Sequence, residues 1–90
     1  MTKPVPDGYH SITPNFTLRD SRPAIEFYKR AFGAEVLDVT PGPGGQGIMH
    51  ATLQIGDSIV MLGDEHPGQG CKSAETLGGS PISLYVYVPN

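Results

Sequence analysis

Ile25-Glu26-Phe27-Tyr28-Lys29-Arg30-Ala31-Phe32-Gly33-Ala34-Glu35 decides the fold. Ile25, Tyr28 and Phe32 recur three and four residues apart, so they share one stripe of a helix. Phe27 and Ala31 widen the stripe, while Glu26, Lys29 and Arg30 face water. Glu26 and Arg30 form an i,i+4 pair of favourable orientation. Upstream, Asp20 or Ser21 supplies an N-cap and Pro23 fits the first turn, where a missing N–H is no loss. Downstream, Gly33 suits the left-handed position that ends a helix. The spacing predicts a helix from about Arg22 to Phe32.

Strand patterns surround it. Ser11 to Leu18 alternates, with Ile12, Pro14, Phe16 and Leu18 on one face and Ser11, Thr13, Asn15 and Thr17 on the other. Pro14 cannot donate to a ladder, so one side of this strand pairs weakly. Glu35 to Thr40 reads as a second strand with Leu37 and Val39 inward, ended by the Pro- and Gly-rich turn Pro41 to Gly47. In Ile48 to Ile55, Met49, Ala51, Leu53 and Ile55 oppose Ile48, His50, Thr52 and Gln54. Gly56-Asp57 is a two-residue connection with Gly first, which suits a type II′ hairpin into Ser58 to Leu62. A loop from Gly63 to Pro81 has the length of a lid or linker. Ile82, Leu84, Val86 and Val88 then alternate with Ser83, Tyr85 and Tyr87 as a fifth strand. The order is β-α-β-β-β, loop, β: an α+β chain with a βαβββ unit at 1–63, a loop at 64–81, and at 82–90 what reads as the first strand of an absent second module.

Composition sets the limits. The 90 residues suffice for one small domain, whose stability is marginal. The net charge is −3 and the six Lys and Arg are scattered, which argues against nucleic acid as a partner. No apolar run is long enough to span a bilayer, and Met1 to Gly8 lacks the apolar segment of a signal peptide. Cys71 is the single cysteine, so no intrachain disulfide can form, and a reducing, cytoplasmic setting fits.

The helix stretch Ile25 to Glu35 resembles a hallmark of the vicinal oxygen chelate superfamily, which includes glyoxalase I, bleomycin-resistance proteins and extradiol dioxygenases. Ile48-Met49-His50-Ala51, Gln54-Ile55-Gly56-Asp57-Ser58, Leu77-Gly78-Gly79-Ser80-Pro81 and Tyr9-His10-Ser11-Ile12-Thr13-Pro14 resemble its PhnB-like branch. The resemblance covers nearly the whole chain. It implies paired βαβββ modules, each a curved sheet with its helix on the convex side. Together they form a cup for a small molecule and often a metal. A symmetric homodimer, with or without strand or domain exchange through the Gly63 to Pro81 hinge, would complete this chain's sheet.

Carried over residue by residue, the family's metal-ligand positions fall on Thr13, Met61 and Ser83. Metals of this family want imidazole nitrogen or carboxylate oxygen, so the resemblance implies no usual metal site here; a bound divalent ion is the alternative. The same alignment turns Thr13, Asn15, Thr17, Ile59 and Met61 toward the cup. Ile48, His50, Thr52 and Gln54 join them from the third strand, and Ser83, Tyr85 and Tyr87 from the last. The expected pocket is Thr13, Asn15, His50, Thr52, Met61, Ser83, Tyr85 and Tyr87. That mixture suits a small polar ligand with an apolar body.

His50 is the one candidate for acid–base work, but no carboxylate partner is identifiable on its face. Tyr85 and Tyr87 suit either a ligand ring or a dimer interface. His10 packs against a strand end. Asp64, Glu65 and His66 read as a solvated loop tip, and Cys71 as an ordinary thiol. The glycines from Gly42 to Gly47 lack the following helix and Lys-Ser/Thr of a phosphate loop. Three functions remain open: a small-molecule-binding protein with its pocket completed by dimerisation; an enzyme of the same superfamily, metal-dependent or using His50; and a non-catalytic fragment.

Overall fold

Asp20 starts the helix as its sequence suggests: its backbone is extended and its side chain accepts the Arg22 N–H at 3.3 Å. In the computed structural model, which describes residues 4–66 and 72–88, helix α1 runs Ser21–Phe32. Gly33 ends it at φ 66°, and its N–H reaches the Lys29 carbonyl at 3.1 Å. Four strands accompany it among the described residues: β1 Asn15–Leu18, β2 Glu35–Pro41, β3 Ile48–Ile55 and β4 Ser58–Asp64. A short helix, α2, spans Ala74–Leu77. The sheet order is β1-β4-β3-β2, with β1 parallel to β4 and the other pairs antiparallel. Among the described residues, no helix is long and apolar enough to cross a membrane.

The core lies between α1 and one sheet face. Ile25 and Ala34 meet Ala51, Leu53, Val60 and Leu62 there, with Phe16, Leu18, Tyr28 and Ile55 packed around them. Leu53 and Leu62 are wholly buried, and each contributes about 2 kcal/mol by leaving water. The β3–β4 hairpin turns on Gly56, at φ 59°, while Asp57 keeps an ordinary negative φ, as a type II′ turn requires.

Several expectations are corrected. Strand β1 begins at Asn15 rather than Ser11, because its ladder to β4 extends only from Asn15 to Leu18. Pro14 lacks an N–H, but its carbonyl still accepts the Met61 N–H at 2.9 Å. Ile12 is thus left exposed. Phe27 lies at the margin of the helix stripe, half-exposed, edge-on to Tyr28 and Phe32. Glu26 pairs with Lys29 at 3.4 Å, while the Arg30 Nε turns to the Glu26 carbonyl. Strand β2 is the sheet edge, and Leu37 and Val39 stay nearly half-exposed because α1 lies over β3 and β4.

Ile48 also changes sides. Thr40 is opposite His50 but Pro41 is opposite Ile48, so Met49 is an extra residue in the ladder. Such a bulge upsets the alternation beyond it. Ile48 consequently joins the core, while Met49 is 47% exposed.

The segment after β3 differs most. Strand β4 continues to Asp64, and the Gly63 to Pro81 stretch, expected as loop throughout, contains α2. Ser73 caps it by accepting the Thr76 N–H at 3.1 Å, and Gly78 ends it at φ 87°. Ile82 to Val88, expected as a fifth strand, joins no ladder and is exposed throughout. A strand is defined by a partner, and neither sheet edge is paired with this segment. Cys71 and the tip of the loop lie outside the described residues, as do Met1 to Lys3 and the last two positions.

Candidate functional site

Helix α1 packs on one face of the sheet, and the ladder registers place the side chains of the opposite face in rows. Asn15 is opposite Met61, Met61 opposite Thr52, and Thr52 opposite Asp38. The next row toward the end of β1 holds Thr17 opposite Gly63 on one side and His50 opposite Thr40 on the other. The row in the other direction is Ile59, Gln54 and Glu35. Leu53, Leu62 and Ala51 alternate with these positions and point into the core.

Of the eight expected pocket residues, Asn15, Met61 and Thr52 therefore share one row, and His50 stands in the next. Thr52 is buried, and its Oγ1 lies 3.2 Å from His50 Nε2. Thr13 is half-buried just before β1, outside the ladder. Ser83, Tyr85 and Tyr87 do not join them. All three are exposed, Tyr87 at 92%, because their segment is unpaired. Tyr85 and Tyr87 instead help to line a wide hollow of about 610 Å³ with His10, Ile12, Phe32 and Ile59. Sequence reasoning named neither Asp38 nor Glu35, which the registers bring onto the face opposite α1; the bulge at Leu37 hides Glu35 from simple alternation, whereas Asp38 alternates with Leu37 and Val39.

A smaller hollow, about 110 Å³, opens over Gly63, lined by Asn15, Thr17, Met49, His50 and His66 among others. Only glycine fits at position 63, because a Cβ there would collide with the Met49 carbonyl oxygen, so β4 lies tight against the Met49–His50 backbone beside the hollow.

Asp64 and Glu65 correct the expectation of a solvated loop tip. Asp64 closes β4, and its Oδ1 accepts the Ser21 N–H at 2.8 Å while its Oδ2 accepts the Ile48 N–H at 3.0 Å. Partial burial works against ionisation, but the two backbone donors and the nearby His66 outweigh it and hold the carboxyl below its ordinary value. Glu65 accepts the Ser73 N–H at 2.9 Å and the Thr76 hydroxyl at 2.9 Å, and these bonds lower its pKa too. Both carboxylates serve the fold by tying distant segments together. The sequence signal, an acidic pair after a strand, does not reveal donors that are 43 and 8 residues away.

Helix α1 laid on one face of a β1-β4-β3-β2 sheet defines a βαβββ module of the glyoxalase type. The chain belongs to the Glyoxalase/Bleomycin resistance protein/Dioxygenase superfamily, whose sequence profile matches residues 11–78. Similar proteins include the uncharacterized protein Mb0911c of Mycobacterium bovis, 36% identical over 81 residues, a match covering 87% of this chain and 53% of that protein. The uncharacterized protein Rv0887c of Mycobacterium tuberculosis is also 36% identical over 81 residues, with 87% of this chain and 47% of that protein covered. The chain spans about half the length of the curated relatives it matches.

Proposed function

We propose that this chain supplies one wall of a small-molecule-binding cup, that a second βαβββ unit closes the cup, and that the ligand is held rather than transformed. The observation that carries the reading is the row Asn15, Met61, Thr52 and Asp38 on the sheet face opposite α1. A face of mixed amide, thioether, hydroxyl and imidazole groups suits a ligand with a polar edge and an apolar body. The exposed apolar run Ile82, Leu84, Val86 and Val88 supports a second unit, since side chains spaced this way gain by pairing and burial. A second copy of the chain, related by two-fold symmetry, is the simplest source of that unit.

Binding without a metal fits the donor chemistry. The resemblance aligns Thr13, Met61 and Ser83 with the ligand positions of metal-using relatives, and a neutral hydroxyl or a thioether is a poor donor to the divalent ions of this superfamily. His50 is bonded to the Thr52 hydroxyl rather than to a carboxylate, which favours contact with a ligand over general-base catalysis.

Light scattering on the purified chain, combined with thermal shift against small aromatic and dicarbonyl compounds, tests this. The expected result is a dimer whose unfolding midpoint rises with at least one compound. A monomer that responds to none overturns the proposal, and so does a stoichiometric transition metal in the purified protein.

A further inference from the structure

We infer that the hollow over Gly63 is the anion-recognising end of the pocket and seats a carboxylate-sized oxyanion of the ligand. This rests on the proposed reading of the face opposite α1 as a pocket wall and goes beyond it by naming the chemical class of the ligand.

Three features of the hollow carry the inference. The first is its floor. Gly63 sits opposite Thr17 in the register and tight against the Met49–His50 backbone, where a Cβ would strike the Met49 carbonyl oxygen. That part of the wall is backbone, so its shape does not depend on a side-chain rotamer. The second is size. About 110 Å³ corresponds to roughly three to four water molecules, enough for one head group and too small for a whole ligand. The ligand's body must then lie outside, over the adjoining row of Asn15, Met61 and Thr52.

The third is the character of the lining. Asn15 brings an amide NH₂, Thr17 a hydroxyl, and His50 and His66 imidazoles. All four residues can donate to an oxyanion, and both imidazoles can carry a positive charge. His50 Nε2 is engaged with Thr52, so its Nδ1 is the ring atom left to serve a ligand. Asp64 also borders the hollow, but both of its carboxylate oxygens accept backbone N–H groups, from Ser21 at the start of α1 and from Ile48. Its charge is thus turned toward a helix N-terminus, which offsets it. A metal ion is the weaker fit, since among the described residues no three His, Cys, Asp or Glu side chains gather.

The test uses benzoate, which joins a carboxylate to an apolar ring, and benzamide, its neutral counterpart. The chain is labelled with ¹⁵N and ¹³C, and the Asn15 side-chain amide, the two imidazoles and the Met61 methyl are followed by NMR during each titration. Benzoate is expected to move the Asn15 and His50 signals. Benzamide is expected to bind at least tenfold more weakly, and His50→Gln to reduce benzoate binding while leaving the spectrum folded. If benzoate and benzamide bind alike and move only the Met61 methyl while Asn15 and His50 stay still, the anion site is overturned and the pocket reading survives. If neither compound moves any signal on this face, both fail. If ZnCl₂ at one equivalent moves both imidazoles and benzoate does not, the hollow is a cation site and the inference is wrong.

Discussion

Asp64 Oδ1 accepts the backbone N–H of Ser21 at 2.8 Å, so the end of β4 holds the start of α1 across 43 residues of sequence. The other oxygen holds the Ile48 N–H at 3.0 Å, which fixes the start of β3 as well. One carboxylate thus joins the helix to the two central strands of the sheet. Asp64→Ala leaves both donors without an acceptor. Hydrogen bonds to a charged group contribute about 1.5–3 kcal/mol each, and partial exposure of this carboxylate lowers the sum for the two, so the loss should be about 2–4 kcal/mol. Urea unfolding followed by circular dichroism checks it. Asp64→Asn keeps one acceptor and should fall between the two; an Ala variant as stable as the parent would show that the bonds are unimportant.

The same carboxylate sets the acid limit of the fold. Asp64 and Glu65 are both held below their ordinary values of 3.8 and 4.5. On acidification the unfolded chain therefore takes up these protons first. Their stabilisation is fully present above about pH 5, falls as the pH drops through the ordinary values, and is gone below the lowered folded ones. The urea midpoint should be flat from pH 6 to 8 and decline below pH 5. In Asp64→Asn the decline should be shallower, because one of the two linked groups no longer titrates.

Gly47 and Gly33 both adopt positive φ, at 70° and 66°, but their surroundings differ. A Cβ on Gly33 would meet nothing within 4 Å, so Gly33→Ala should cost about 1–2 kcal/mol for the left-handed backbone alone. At Gly47 the added carbon would stand 2.6 Å from Asp64 Oδ2 and displace the carboxylate from Ile48. Gly47→Ala should therefore cost about 1–2 kcal/mol more than Gly33→Ala, in line with the loss of one charged hydrogen bond. In the double variant with Asp64→Ala, that excess should disappear, and equal effects of Gly47→Ala in the two backgrounds would refute the coupling.

What could be read from the sequence follows the range of the interactions. Helix α1, its Asp20 and Gly33 caps, the span Ile48–Ile55 and the Gly56 turn all depend on residues within a few positions of one another, and each stands where periodicity and turn chemistry put it. The face of Ile48 does not, because a single unpaired residue at Met49 reverses it. The duties of Asp64 and Glu65 were hidden because their donors come from elsewhere in the chain. Ile82 to Val88 has a strand's alternation, but alternation cannot supply a neighbour. On the candidate site, the resemblance turned Asn15 and Met61 to one face and the pattern of β3 added Thr52, while their sharing one row and the close approach at Gly63 required the register of three strands.

Core and edge positions of the sheet should respond very differently to substitution. Leu53 on β3 is wholly buried beneath α1, whereas Val39 on β2 is 42% exposed at the sheet edge. Leu53→Ala removes three carbons and leaves a cavity, for an expected loss of about 2–4 kcal/mol. In a domain this small, that approaches the whole stability. Val39→Thr keeps a branched side chain with good strand propensity and exposes its hydroxyl to water, so about 0.5 kcal/mol or less is expected. Chemical denaturation of the two variants gives the comparison directly. If a second unit covers β2 in solution, Val39→Thr will instead lower stability in a concentration-dependent way, because the lost contact is then between subunits. Repeating the measurement over a hundredfold range of protein concentration separates the two cases.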